Sequence, residues 1–210
     1  MKKVKSTRPW DNFGFKKRKV GGRNLIDTFL IVSEGTKTEP NYFRKFPVNH
    51  DVIELEIEGE GKNTLSLVDE AIRIREIGIA ENKRYNQTWV VFDKDSFKDE
   101  QFDNAIYKAR ANKIRVAYSN EAFELWYLLH FEYLNAGIHR KQYEGKLTKY
   151  LLFKYEKNLE IMYEKLIKRQ TTAIKNAKML MNEHIGIIPS KANPSTTVYK
   201  LVIELNRFIN

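Results

Sequence analysis

Two apolar runs, each closed by carboxylates, constrain this 210-residue chain more than any other feature. Phe29-Leu30-Ile31-Val32 leads into Ser33-Glu34-Gly35, and Trp89-Val90-Val91-Phe92 leads into Asp93-Lys94-Asp95. Short continuous apolar runs bounded by polar or turn residues fit strands buried on both faces, as in a parallel sheet covered by helices. The carboxyl ends of such strands line the crevice where α/β sheets keep their ligands, so Glu34, Asp93 and Asp95 are expected to converge there. Three hard oxygen ligands in one crevice make a candidate divalent-metal site.

The segments between and around these runs support an α/β order. After strand 27–33, Thr38-Glu39-Pro40 offers a helix start, with Thr38 as cap and proline just inside, running to Phe46. Residues 52–58 alternate apolar with acidic positions, the pattern of a strand with one wet face near a sheet edge. Asn63-Thr64 can cap a helix reaching about Gly78; a strand at 88–92, a helix near 99–112 and a strand at 114–118 follow. The order β-α-β-α-β-α-β predicts a mainly parallel four-stranded sheet flanked by helices. Beyond it the pattern turns helical: an apolar-aromatic helix over 121–131, a polar loop around 135–145, a long amphipathic helix over 157–183, and a final helix over 197–208 after the Asn193-Pro194-Ser195-Thr196 turn. The expected organisation is a basic arm at 1–24, an α/β domain at 25–134, and a helical C-terminal region at 135–210 packed on the same unit.

Charge is concentrated rather than spread. Residues 1–24 carry nine basic side chains against Asp11, giving +8 of the net +10. Within this arm Lys16, Lys17, Arg18, Lys19 and Arg23 are interleaved with Trp10, Phe13 and Phe15, the combination that pairs phosphates and stacks bases in single-strand binders. A solvated tail explains the same composition. Absence of cysteine excludes disulfides, thiolate metal sites and a cysteine nucleophile, so any chemistry must use oxygen and nitrogen groups. No apolar run approaches the roughly 18 residues a membrane span needs, and no apolar signal core follows Met1, so a cytoplasmic location is expected. The four histidines show no zinc-ligand spacing. Residues 59–64 lack the glycine spacing and the Gly-Lys-Ser/Thr ending of a phosphate loop.

Asp93 and Asp95, two residues apart, would project the same way from an extended backbone and could grip one or two Mg²⁺ or Mn²⁺ ions, with Glu34 beside them. Asp-x-Asp is also common in turns, where aspartates accept backbone N–H groups. Lys37 and Lys94 flank the acids and either neutralise a phosphate or merely balance charge.

The strand-Glu-Gly and strand-Asp-x-Asp pair resembles the Toprim domain of topoisomerases, primases and OLD-type nucleases. More specifically, Ile31-Val32-Ser33-Glu34-Gly35-Thr36-Lys37-Thr38-Glu39-Pro40-Asn41-Tyr42-Phe43 resembles the opening block of the RloB/AbiLii family of bacterial abortive-infection proteins. Val91-Phe92-Asp93-Lys94-Asp95, Ser119-Asn120-Glu121-Ala122-Phe123-Glu124-Leu125-Trp126 and Asn193-Pro194-Ser195-Thr196-Thr197-Val198 agree with later blocks. The resemblance implies a Toprim-like, Mg²⁺- or Mn²⁺-dependent nuclease acting on RNA, tRNA included, or DNA in anti-phage defence, beside an ABC- or AAA-type ATPase encoded nearby. By the same resemblance Glu34 is a metal ligand or general acid/base, and Asp93 and Asp95 form the metal-binding pair. Glu124 is either an additional ligand or a buried structural acid, and Glu39 is either part of the site or a helix-start acid that favours the macrodipole. Ser96-Phe97 after Asp-x-Asp departs from many Toprim sites, which leaves the metal count open.

Three function classes follow. The first is phosphodiester cleavage by Glu34, Asp93 and Asp95. The second is a non-catalytic nucleic-acid-binding or regulatory subunit of an ATPase complex. The third, an Asp-x-Asp phosphatase or glycosyltransferase, is disfavoured because haloacid-type phosphatases carry that motif on their first strand, whereas here the first core strand ends in Glu34.

Overall fold

The computed structural model describes residues 26–59, 61, 64–95 and 97–209. The arm residues Lys16, Lys17, Arg18, Lys19 and Arg23, and the expected cap Asn63, lie outside the described residues.

The first apolar run forms β1 (Asp27–Ser33), and its position explains its composition. It lies between β2 (Ile53–Gly59) and β3 (Gln87–Asp93), with β4 (Arg115–Ser119) beyond β3, all parallel in the order β2-β1-β3-β4. Successive side chains of a strand face opposite sides, so the unbroken runs of β1 and β3 feed two cores. Phe29, Ile31, Trp89 and Val91 join one buried cluster; Leu30, Val32, Val90 and Phe92 join the other. The alternating strand β2 sits at the edge, as its half-wet pattern predicts.

Helices cover the two faces in a way dictated by the path of the chain. After β1 the chain passes through α1 (Thr38–Arg44) to β2 on one side. It then returns through α2 (Thr64–Ala80) to β3 on the other side of β1, and through α3 (Asp99–Ala111) to β4. Parallel crossovers are right-handed, so reversing direction places α1 on one face and α2 and α3 on the other. Tyr42 and Phe43 of α1 join the Phe29 cluster; Leu67, Val68, Phe102 and Ile106 join the Leu30 cluster. The reversal leaves a topological switch point at the carboxyl ends of β1 and β3. This is a Toprim-like α/β architecture.

The rest of the chain packs on the α1 face through α4 (Glu124–Leu128), α5 (Arg140–Leu151), α6 (Met162–Leu166), α7 (Gln170–Glu183) and α8 (Val198–Asn206). Trp126, Tyr143, Leu166, Ala177 and Leu201 share one buried cluster with Phe29 and Ile31, so the helical region and the sheet have a common core. Among the described residues no helix is long and apolar enough to cross a membrane.

The helical region departs from its expected boundaries in physically intelligible ways. The loop expected over 135–145 gives way at Arg140 to α5, started by His139, whose Nδ1 accepts the Lys141 N–H while Gln142 Oε1 accepts the His139 N–H. The long helix expected over 157–183 is two helices separated by a 3₁₀ turn at Ile167–Arg169, preceded by Asn158 at φ 73. The helix expected over 121–131 has a regular core of only Glu124–Leu128. Lys37, not Thr38, occupies the cap of α1, and the Thr38 hydroxyl turns instead to Asn158 Oδ1 at 3.2 Å.

Candidate active site

Glu34 begins one residue past β1, where its N–H donates to the Val91 carbonyl at 2.9 Å and continues the β1–β3 ladder. That bond fixes Glu34 beside the end of β3, and its Oε2 accepts the Asp93 N–H at 3.3 Å. The carboxyl groups expected to meet across the switch point do so. Glu34, Asp93 and Asp95 line one pocket of about 180 Å³ together with Glu39, Glu124 and Lys157.

Each acid reaches the pocket by a different route. Asp93 closes β3, and its Oδ2 accepts the Phe123 N–H at 2.9 Å, a buried donor that the start of α4 leaves without an intrahelical acceptor. The Asp93 Oδ1 is enclosed and has no hydrogen-bond partner. Asp95 does not continue the strand: β3 ends at Asp93, and Asp95 has φ 40. The expectation that an extended backbone carries both aspartates the same way is therefore corrected. Asp95 enters the pocket from a turn anchored by its N–H to the Glu121 carbonyl at 3.2 Å, and it is paired with Arg140 of α5.

Glu39, in the first turn of α1, is 5% exposed and its Oε2 has no partner. Its carboxyl lies against Gly35, where a Cβ would fall 2.0 Å from Oε2, so the glycine after Glu34 makes room for a second carboxylate. Glu124 is buried; its Oε1 accepts the Tyr155 hydroxyl at 3.1 Å and lies 4.0 Å from Lys157 Nζ. It lines the pocket while being tied to a basic partner, so features of both expected roles are present.

Crowding carboxylates in a poorly hydrated pocket disfavours their ionised forms. Burial raises Glu34 from 4.5 to about 7, with the Asp93 N–H opposing and the charges of Glu39 and Asp95 adding to it. Burial likewise raises Glu39 to about 7, opposed by the N–H groups of Glu39 and Gly35 and by Lys157, and reinforced by Glu124. Asp93 is held well above the ordinary aspartate value, first by burial and then by Glu39 and Glu124, against the Phe123 N–H.

Among the described residues, no group of three or more histidine, aspartate or glutamate side chains stands ready to hold a metal ion. Arg140, the Phe123 N–H, the Asp93 N–H and Tyr155 already engage several of the carboxylate oxygens. The two enclosed oxygens without partners, on Asp93 and Glu39, belong to the same pocket.

The flanking lysines are placed differently. Lys94 pairs with Asp99 at 2.9 Å, so its charge is directed to the start of α3, and Lys37 is exposed. Arg140 and Lys157 escaped the sequence reading because both come from the helical region, far from the acids in the chain. His130 is fully buried with Nδ1 on the Trp126 carbonyl at 2.9 Å, as a core histidine would be.

The family model described as RloB-like protein matches residues 29–205, which include every element lining the pocket. No curated protein and no solved structure matches the chain.

Proposed function

The chain belongs to the RloB-like family, and on that premise we propose that the acidic pocket is the active centre of a divalent-metal-dependent nuclease that hydrolyses phosphodiesters of RNA or DNA. The observation that carries this reading is the pair of enclosed, unpartnered oxygens, Asp93 Oδ1 and Glu39 Oε2, in one pocket with Glu34. Buried carboxylate oxygens without donors are costly, and a hard cation satisfies them. The donor set fits Mg²⁺ or Mn²⁺, being oxygen throughout with neither thiolate nor imidazole. Asp93, Asp95 and Glu34 would hold the ion, with Glu39 and Glu124 adjoining. When bound, it supplies positive charge for the phosphoryl oxygens and for water activation.

The chain's own groups do the remaining work. Burial raises Glu34 to about 7 in the metal-free pocket, so ligating the ion would displace its proton near neutral pH. The Phe123 N–H fixes the orientation of Asp93, and Arg140 that of Asp95. Lys157 brings a cation to the pocket wall, where a phosphate oxygen would approach. The basic arm would hold nucleic acid through Lys16, Lys17, Arg18, Lys19 and Arg23, and an ATPase encoded nearby would control the activity in anti-phage defence.

The alternative is a non-catalytic subunit that binds nucleic acid for an ATPase. It is favoured by the hydrogen bonds that already occupy the carboxylates and by the lack of a ready metal cluster among the described residues. Purified chain, with and without the neighbouring ATPase, is incubated with total RNA and plasmid DNA under Mg²⁺, Mn²⁺ or EDTA. The proposal expects chelator-sensitive cuts that Glu34→Gln and Asp93→Asn abolish. Full cleavage by both variants, or no cleavage under any of these conditions, refutes it.

A further inference from the structure

A second charged site lies at the opposite end of β3. Trp89, near the start of that strand, pairs in register with Arg115 of β4, four residues and about 13 Å along the strand from Asp93. Here a pocket of about 540 Å³ opens between the end of α3, the start of β4 and one side of α8. That volume lies within the roughly 300–1,000 Å³ of small-molecule sites.

Its chemistry is the inverse of the acidic pocket. Arg110, Lys113, Arg115 and Lys200 line it against a single acid, Glu204. Glu204 is taken by Arg115 at 3.2 Å and by Arg207 at 3.0 Å. Among the described residues Arg110, Lys113 and Lys200 make no ion pair. Partial burial and the nearby Arg110 guanidinium push Lys200 below its ordinary value, the signature of a cation lacking its counter-ion. Lys113 is held at φ 59 in the turn between α3 and β4, a left-handed conformation uncommon for a residue with a side chain.

The floor is apolar, from Ile114, Val116 and Ile203. The Arg115 guanidinium carbon lies 5.4 Å from the centroid of the Trp89 ring, within cation–π range. A partly exposed guanidinium can also take a flat ring, since guanidinium planes stack on aromatic faces. Phosphate-binding cations around an apolar floor with a stacking plane specify both halves of one ligand class. The N-terminal arm is itself strongly basic and is electrostatically unsuited to this pocket.

We infer that this pocket binds a nucleoside phosphate, its phosphates on Arg110, Lys113 and Lys200 and its base on the Arg115 side of the apolar floor. The site is separate from the acidic pocket and does not depend on the nuclease reading.

Isothermal titration of the full chain with ADP, AMP and pyrophosphate, all in EDTA, tests the inference. ADP is expected to bind. Pyrophosphate, lacking the base, should bind at least tenfold more weakly. Arg110→Ala with Lys200→Ala should weaken ADP at least tenfold without lowering the melting temperature, since neither side chain belongs to a buried core cluster. Lys200→Glu should abolish binding, and Asp93→Asn should bind ADP as the unaltered chain does. The inference is overturned if neither nucleotide binds, if pyrophosphate equals ADP, or if the double variant and Lys200→Glu both bind normally. Loss of ADP binding in Asp93→Asn reassigns the ligand to the acidic pocket and also overturns it. Binding of a single-stranded oligonucleotide without ADP or AMP assigns the groove to a nucleic-acid strand and overturns it as well.

Discussion

Replacing Glu39 by glutamine should stabilise the protein at alkaline pH and leave it almost unchanged at acid pH. In the unfolded chain the Glu39 carboxyl ionises near 4.5, whereas in the folded chain it keeps its proton until about 7. Between those values the folded state binds the extra proton, so stability falls as pH rises and levels off above 7. One linked proton changes stability by about 1.4 kcal/mol per pH unit, and the interval from 4.5 to 7 therefore accumulates roughly 3 kcal/mol. Glutamine keeps the shape without the charge, so this loss disappears. The glutamine N–H₂ also becomes a donor in a pocket where Asp93 Oδ1 has none. His130 contributes with the opposite sign: burial lowers it from 6.5 to about 4, so its contribution is lost as pH falls through that range. That term is common to both proteins and cancels in their difference. Urea unfolding in EDTA at half-unit steps from pH 4.5 to 8 measures the difference directly. The variant should match the parent near pH 4.5 and exceed it by about 2–3 kcal/mol at pH 8. A difference that stays flat across this range, or a variant that is the less stable at pH 8, would falsify the claim that a buried, poorly compensated carboxylate occupies this pocket.

Three further outcomes follow from the same geometry. Gly35→Ala places a Cβ 2.0 Å from Glu39 Oε2 and should cost about 1–3 kcal/mol. In the Glu39→Ala background the same change should cost less than half as much, as a double-mutant cycle by denaturant unfolding will show. Arg140→Gln breaks a partly exposed ion pair with Asp95, so unfolding should register less than about 1 kcal/mol while nuclease turnover drops at least tenfold. Mg²⁺ at about one hundred times its dissociation constant should add about 2.7 kcal/mol to the parent at pH 8, with a smaller gain in Asp93→Asn; equal gains in thermal melts would count against metal ligation by Asp93.

How much of this was legible in the sequence depends on whether the signal is local. β1 and β3 were readable because strands buried on both faces need unbroken apolar runs, and the positions of Glu34 and Asp93 followed from where those runs stop. β2 was readable as an edge strand because Glu54, Glu56 and Glu58 alternate with apolar residues. The helical region was harder, since apolar spacing survives across a break: the 157–183 pattern carries no mark of the turn before Met162. Asp95 lines the same pocket as Glu34 and Asp93, but not by the expected route, because a two-residue spacing implies a shared face only while the backbone stays extended. Glu39 could be noticed but not assigned, because only the fold reveals that Gly35 leaves space for its carboxyl. Arg140 and Lys157 carried no local signal; they reach the acids only after α5 and the segment before α6 pack on the sheet.

The two pockets together show what the sheet's topology supplies and what it leaves unsatisfied. Reversal of strand order at β1 and β3 makes a crevice whose walls are backbone ends, so the local donors are few: the N–H groups of Asp93 and Phe123 serve one oxygen each of Glu34 and Asp93. Folding alone would favour replacing the remaining carboxylates, since breaking even with buried charge requires good partners. At the other end of β3, Arg110, Lys113 and Lys200 line one pocket and, among the described residues, make no ion pair, its one acid, Glu204, being held by Arg115 and Arg207. On the proposed readings neither cluster stabilises the free chain, and an occupant of opposite charge would relieve each. Unfavourable charge retained at both ends of one central strand is the pattern expected when stability has been given up for binding. It also fixes the sign of two measurements: a divalent cation should raise the melting temperature through the first cluster, and a nucleoside phosphate should raise it through the second, independently of the first.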